Sequence, residues 1–260
     1  MKKSSILALL LALICASALH AAPFRVGATP VPAAEILQFA APLLKERENV
    51  DMEVVEFTDF VTPNVALEDG SLSANMYQHL PYLSNYNKGH GNTLRSLEGV
   101  YIVPMGVYSK KIKDISGVTK GALIALPSDP TNGGRALLLL ESKGLIKLEE
   151  GAGLTATELD IAENPLDLRF KAMEAAQLPR ALDDVDAAVI NGNYALQAGL
   201  RPLEDALCLE GSSSPYVVHV VIRASDEVSP QVAALQRVLK SDEVKKFITD
   251  TYKGGAVAAF

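Results

Sequence analysis

The chain has 260 residues, 48% hydrophobic and 21% charged, a composition that suits one large domain or two modest lobes and excludes a disordered chain. Its net charge is −7, more negative still without Lys2 and Lys3, and it has no basic run or aromatic-basic stripe. A nucleic-acid partner is therefore not expected.

The first residues, MKKSSILALLLALICASALHAAP, carry two lysines, an apolar stretch from Ile6 to Ile14 and then small residues. This is the layout of a secretory signal. Ser17 and His20 break the apolar run short of the roughly 20 residues a spanning helix needs. Cleavage after Ala21 makes 1–21 the expected leader and the periplasm the expected location. Cys15 follows Ala12, Leu13 and Ile14, where a lipoprotein signal has a small residue, so lipid anchoring there is not expected. Cys208 is then the one cysteine left, and the exported chain must be held by its core without an internal disulfide.

After the leader the rhythm is strand, loop, helix. Phe24 to Thr29 reads as a strand, followed by a helix whose Ile36, Phe39, Ala40, Leu43 and Leu44 recur at helical offsets. Met52 to Phe57 returns as a strand, Asn64 to Glu68 as a short helix, Leu72 to Tyr77 as a strand, and a further helix starts near Pro81. Val100 to Ser109 is a long extended segment suited to crossing between lobes. Beyond it, Gly121 to Pro127 is a strand, Gly133 to Lys143 a helix closed by Gly144, Leu168 to Met173 a strand and Ala187 to Asn191 another. Tyr216 to Arg223 is expected as the second crossing. Two helices, capped by Ser229 and Ser241, finish the chain and are expected to pack on the first lobe. The pattern predicts an α/β fold with open sheets, a first lobe of 22–107 with 222–260, a second of 108–221, and a site in the cleft between them.

Three stretches carry candidate chemistry. PSDPTNGGR, Pro127 to Arg135, follows a strand and opens a helix, a place where backbone N–H groups meet anions, and Arg135 adds a planar fork suited to a carboxylate. The plain alternative is an ion pair of Arg135 with Glu141 or Asp129. A P-loop is excluded because no lysine-serine pair follows. NMYQHLPYL gathers Tyr77, Gln78, His79 and Tyr82 at one strand-to-helix corner, and Phe60 precedes another short helix; aromatic walls with a few polar groups suit a small-molecule pocket, and equally a half-buried core. INGNYA delivers Asn191 and Asn193 to a strand end, where asparagine serves a ligand or caps a turn.

Enzymatic signatures are missing. The three histidines after the leader (His79, His90, His219) form no HExxH, no cysteine pair has metal spacing, and no G-x-S-x-G elbow occurs. The acid pairs Glu149-Glu150 and Asp183-Asp184 read as solvated helix ends. Neither catalysis nor a metal or organic cofactor is expected.

Taken together, EFTDFVTPNVAL, NMYQHLPYL, YSKKI, PSDPTNGGRALLLLESKGLIKL, LPRALDDVDAAVINGNYA, SPYV and the terminal YKGGAV resemble the methionine-binding lipoproteins of bacterial ABC importers, the NlpA-like family of periplasmic binding proteins. The resemblance runs over nearly the whole exported chain. It implies a two-lobed, type II-like fold with a hinge of crossing strands, closing on an amino acid that is passed to a membrane permease and its ATPase; a monomer is expected. Arg135 would hold the ligand carboxylate, Asn191 would help fix the polar end, and Phe60, Tyr77, His79 and Tyr82 would surround a thioether side chain. One position departs: family members commonly carry an asparagine directly after the segment matched by SPYV, where this chain has Val218, then His219. Valine there opens the alternatives of a different amino acid or a methionine-containing dipeptide, and a further one is an interaction protein with a vestigial ligand.

Overall fold

The structure, a computed structural model, describes residues 23–211 and 214–260. The expected leader and Cys15 lie outside the described residues. Strand β1 (Phe24–Ala28), helix α1 (Glu35–Glu48), β2 (Met52–Glu56), α2 (Thr62–Glu68), β3 (Ala74–His79), α3 (Leu80–Gly89) and β4 (Leu94–Ile102) build the first half of one sheet. The chain then enters a second sheet through β5 (Gly106–Tyr108), β6 (Leu123–Pro127), α4 (Pro130–Ser142), the small hairpin β7 (Lys147–Leu148) and β8 (Ile161–Glu163), β9 (Arg169–Met173), α5 (Leu178–Ala181), β10 (Ala187–Ile190), α6 (Gly192–Gln197), α7 (Pro202–Asp205) and β11 (Cys208–Leu209). It returns through β12 (Val218–Arg223), α8 (Pro230–Leu239), α9 (Asp242–Tyr252) and β13 (Val257–Ala258).

The six-stranded sheet runs β13-β4-β12-β3-β1-β2 and the five-stranded sheet β11-β5-β10-β6-β9. In each, the strands followed by helices pair in parallel, β1 with β2 and β3, β6 with β9 and β10, whereas the returning strands β12 and β5 pair antiparallel. Two cores result. Val26, Ile36, Leu37, Leu44, Val220, Ile222, Leu235 and Ile248 share the first, and Ile124, Leu126, Leu137, Leu140, Val107 and Val189 the second. As expected, α8 and α9 pack on the first lobe, stacking Phe247 on Phe39 with ring centroids 4.3 Å apart.

Sheet membership moves the expected lobe limits. β5 belongs to the second sheet and β12 to the first along its whole length, so the changeovers fall between Ile102 and Gly106 and between Leu209 and Val218, not at 107/108 and 221/222. The expected crossing from Tyr216 to Arg223 is mostly a central strand. Val218, Val220 and Ile222 enter one core and Val221 the core on the opposite face, and burial on both faces is why four of the six residues of β12 are valine or isoleucine. Helix α4 also starts three residues earlier than expected. Asp129 caps it by accepting from the Asn132 N–H at 2.9 Å, Pro130 takes the first helical position, and the following Thr-Asn-Gly-Gly run is helical despite its turn-like composition. At its far end Gly144, with φ +71°, supplies the expected left-handed stop.

Candidate functional site

Three strand ends converge on one cavity between the sheets. β3 brings Tyr77 and His79, α4 after β6 brings Asn132 and Arg135, and the end of β10 brings Asn191. All six expected residues, Phe60, Tyr77, His79, Tyr82, Arg135 and Asn191, line it. Its volume is about 40 Å³, several times the roughly 10–15 Å³ that one water needs on the same measure.

The first-lobe wall is aromatic and internally wired. The Phe60 carbonyl accepts from the hydroxyls of Tyr77 at 2.9 Å and Tyr82 at 2.7 Å, and the Phe60 ring lies 5.9 and 6.1 Å from theirs. Burial raises both phenols well above their ordinary range, so they stay neutral donors. Beneath them a buried amide cluster anchors α2 to β3: the side-chain amides of Asn75 and Gln78 both donate to Asn64 Oδ1, at 2.9 and 2.6 Å. This holds Phe60 at the start of α2 in register with Tyr77. The Tyr194 hydroxyl, from the second lobe, donates to the Thr58 carbonyl at 3.2 Å and clasps the same loop from across the cleft.

His79 bridges the lobes. Its Nδ1 accepts from the Tyr82 backbone N–H at 3.1 Å, which fixes the proton on Nε2, and Nε2–H donates to Asn132 Oδ1 at 3.2 Å. Burial first, and the nearby Arg135 charge second, push the imidazole down to about 3, so it is neutral throughout the physiological range. Asn132 also accepts from Asn191 Nδ2 at 2.7 Å and is itself oriented by Asp129, to which its amide donates at 2.9 and 3.0 Å.

Two groups on the second-lobe wall remain unsatisfied. Asn191 Oδ1 is a buried acceptor with no hydrogen-bond partner among the described residues, and so is the Tyr216 hydroxyl oxygen; leaving a buried polar group unpaired costs about 1–3 kcal/mol. Arg135 is 5% exposed, stacks its guanidinium 4.2 Å from the Tyr216 ring centroid, and donates from Nη2 to the Val103 carbonyl at 3.3 Å. Its ion-pair partner is neither Glu141 nor Asp129. Glu141 accepts from the Leu148 N–H, Asp129 caps α4, and Glu210 takes the guanidinium through Nε at 3.0 Å and through Nη2. Nη1 makes no hydrogen bond among the described residues.

Glycines permit this closeness. A Cβ on Gly134 would stand 2.5 Å from the Leu154 carbonyl oxygen, and one on Gly192 would meet the Pro104 carbonyl oxygen at 2.5 Å. Val218 lines the cavity beside His79 and Tyr101 and offers only methyl groups. His219 turns away, holding the Leu97 carbonyl at 2.8 Å, and His90 stacks on Tyr86 at the surface, so neither joins the site.

Sequence reasoning missed Asn132, Tyr216 and Glu210. The first two sit inside stretches already singled out, PSDPTNGGR and SPYV, but their partners lie far away in sequence. Glu210 has no local signal at all; it reaches Arg135 from 75 positions on.

The family profile described as NlpA lipoprotein matches residues 24–260. Among curated relatives, the probable D-methionine-binding lipoprotein MetQ of Vibrio cholerae is 43% identical over 233 residues, covering 90% of this chain and 87% of the relative. The D-methionine-binding lipoprotein MetQ of Salmonella typhimurium is 42% identical over 235 residues, with 90% and 87% covered. Among solved structures, a nutrient-binding protein from Burkholderia cenocepacia bound to methionine superposes with a TM-score of 0.89 at 48% identity, covering 91% of this chain and all of that one. The chain belongs to the NlpA lipoprotein family.

Proposed function

We propose that this protein is an extracytoplasmic substrate-binding protein that captures methionine or a close relative between its lobes. The observation that carries the reading is the pairing of two unlike walls around one cavity. Phe60, Tyr77, His79 and Tyr82 face a buried arginine whose Nη1 makes no hydrogen bond among the described residues and an asparagine whose Oδ1 is unpartnered among them. A zwitterionic amino acid answers both: its carboxylate accepts from Arg135 Nη1, its ammonium donates to Asn191 Oδ1, and its side chain lies among Phe60, Tyr77, His79 and Tyr82. A thioether suits ring edges, where sulfur contacts are favourable. The relatives' names and the methionine-bound neighbour support the same ligand.

Binding without conversion is expected, as the relatives' binding roles support. His79 is held neutral with both nitrogens occupied. The bonds from His79 to Asn132 and from Tyr194 to Thr58 span the cleft, so they form on closure and break on opening. Closed, loaded protein is what an ABC permease and its ATPase would receive. No helix among the described residues is long and apolar enough to cross a membrane; delivery to the periplasm rests on the expected leader, with no lipid anchor at Cys15 in this reading. Val218 favours a second reading of the ligand, a methionine-containing dipeptide or another apolar amino acid, because it removes a polar contact from the wall.

Calorimetric titration of L-methionine into protein unfolded, dialysed and refolded tests the reading. Saturable binding at micromolar strength or tighter, about −8 kcal/mol, is expected. Absence of heat with methionine but binding of a dipeptide would replace methionine by the second reading, and binding of neither would remove both.

A further inference from the structure

Arg135 is the one formally charged side chain among the described residues lining the cavity. The rest of the wall is aromatic, aliphatic or amide, and His79 is neutral. The charge of the site therefore depends on what stands behind Arg135. Glu210 does: its carboxylate, 15% exposed, grips the Nε–Nη2 edge of a guanidinium that is 5% exposed. Glu210 is itself fixed by the chain. Its backbone N–H donates to the Met105 carbonyl at 2.9 Å, and its carboxylate accepts from the Met105 N–H at 3.4 Å. Both changeover segments thus meet at this one ion pair, and Val103 in the first of them accepts from Arg135 as well.

We propose that Glu210 is a specificity-determining residue that makes the buried site electrically neutral and so selects ligands that are themselves net neutral zwitterions over simple carboxylate anions. The inference rests on the amino-acid reading above. A lone buried arginine would accept any carboxylate, and most strongly one with no ammonium, because the entering anion would cancel the buried charge. With Glu210 in place the cancellation is already made. A simple anion then brings an uncompensated charge into a site of low polarisability, which is costly. A zwitterion does not, since its ammonium reaches Asn191 Oδ1 and offsets the second carboxylate close to Arg135. Glu210 also leaves Nη1 as the guanidinium corner open to ligand, so it positions the arginine and limits how a carboxylate approaches.

The test uses L-methionine and its 2-hydroxy analogue, identical except that a hydroxyl replaces the ammonium, titrated into wild-type protein, Glu210→Gln and Glu210→Asp. Wild type is expected to prefer methionine. In Glu210→Gln the preference is expected to fall by at least about tenfold, the scale of close buried charge pairs, while Glu210→Asp, which keeps the charge, stays near wild type. An unmoved ratio in Glu210→Gln, or a ratio lost equally in Glu210→Asp, overturns the role of Glu210 and leaves the methionine reading standing. Wild-type protein that binds neither ligand overturns the methionine reading itself, and this inference with it. Should Glu210→Gln not fold alone, it is refolded with each ligand and followed by thermal unfolding. Rescue by the hydroxy acid above that by methionine supports neutralisation; rescue by methionine alone, or by neither, overturns it.

Discussion

The two walls of the cavity reach their geometry by opposite routes. The first-lobe wall satisfies itself: Tyr77 and Tyr82 spend their hydroxyls on the Phe60 carbonyl, and the Asn64, Asn75 and Gln78 amides bond to one another beneath. The second-lobe wall keeps atoms in reserve, at Asn191 Oδ1 and the Tyr216 hydroxyl, and Arg135 bonds through Nε and Nη2 but not Nη1 among the described residues. A wall whose tyrosines bond mainly to their own lobe shapes a ligand, and a wall with unpartnered atoms orients it. Substitutions should therefore act unequally, through affinity on the second lobe and through shape or stability on the first.

The largest effect is expected at Arg135. Arg135→Ala removes the proposed carboxylate partner and leaves the half-buried Glu210 without its cation, so methionine binding should be lost and stability should fall by about 3 kcal/mol. Replacing the pair by Arg135→Met with Glu210→Met should restore the denaturation midpoint but not binding. Methionine bound by the double variant at wild-type strength would show that the second wall does not orient the carboxylate.

Asn191→Ala should weaken methionine by about 1.5–3 kcal/mol, roughly ten- to 150-fold, by deleting the proposed acceptor for the ammonium. The hydroxy analogue should suffer less. Equal losses for both ligands in titration would mean that Asn191 acts only through Asn132.

At His79 the readout is pH. Its pKa falls from an ordinary 6.5 to about 3 on folding, through burial and then Arg135. Between those values the unfolded chain holds a proton that the folded one lacks, so stability rises with pH across the window, by at most about 1.4 kcal/mol per pH unit, and the term is constant above it. His79→Gln should flatten that part of the urea-midpoint profile from pH 6.5 towards 3. Parallel profiles for the two proteins would contradict the neutral, buried assignment.

The smallest effect is expected at Tyr82. Tyr82→Phe deletes one of two bonds to the Phe60 carbonyl while Tyr77 keeps the other, a change of about 0.5–1.5 kcal/mol in stability. Affinity should move by less than about tenfold. A larger loss of binding would mean that the hydroxyl meets the ligand directly and that the first wall orients as well as shapes.

Much of this was legible in the chain. Alternation and helical offsets place β1, α1, β2, β6, α4 and β10 near their observed bounds, because each strand and helix buries one continuous apolar set that local order reveals. The six candidate residues converge on one cavity because they follow strands that end at the same edge of open sheets. Less visible were β11 and β13, two residues each, which exist only as edge pairs for β5 and β4. Val218 to Arg223 misled for a related reason: a crossing and a doubly buried central strand are written in the same apolar residues.

The sequence alone determined the α/β class, the order of the elements and which strand ends carry polar and aromatic side chains, since these depend on near neighbours along the chain. Only the tertiary structure decided that β12 lies between β3 and β4, that His79 bonds Asn132 across the cleft, and that Arg135 is balanced by Glu210. Each of those joins residues 53 to about 140 positions apart. Such pairs leave no periodicity to read, because their partner is chosen by how distant segments pack within a lobe or across the cleft.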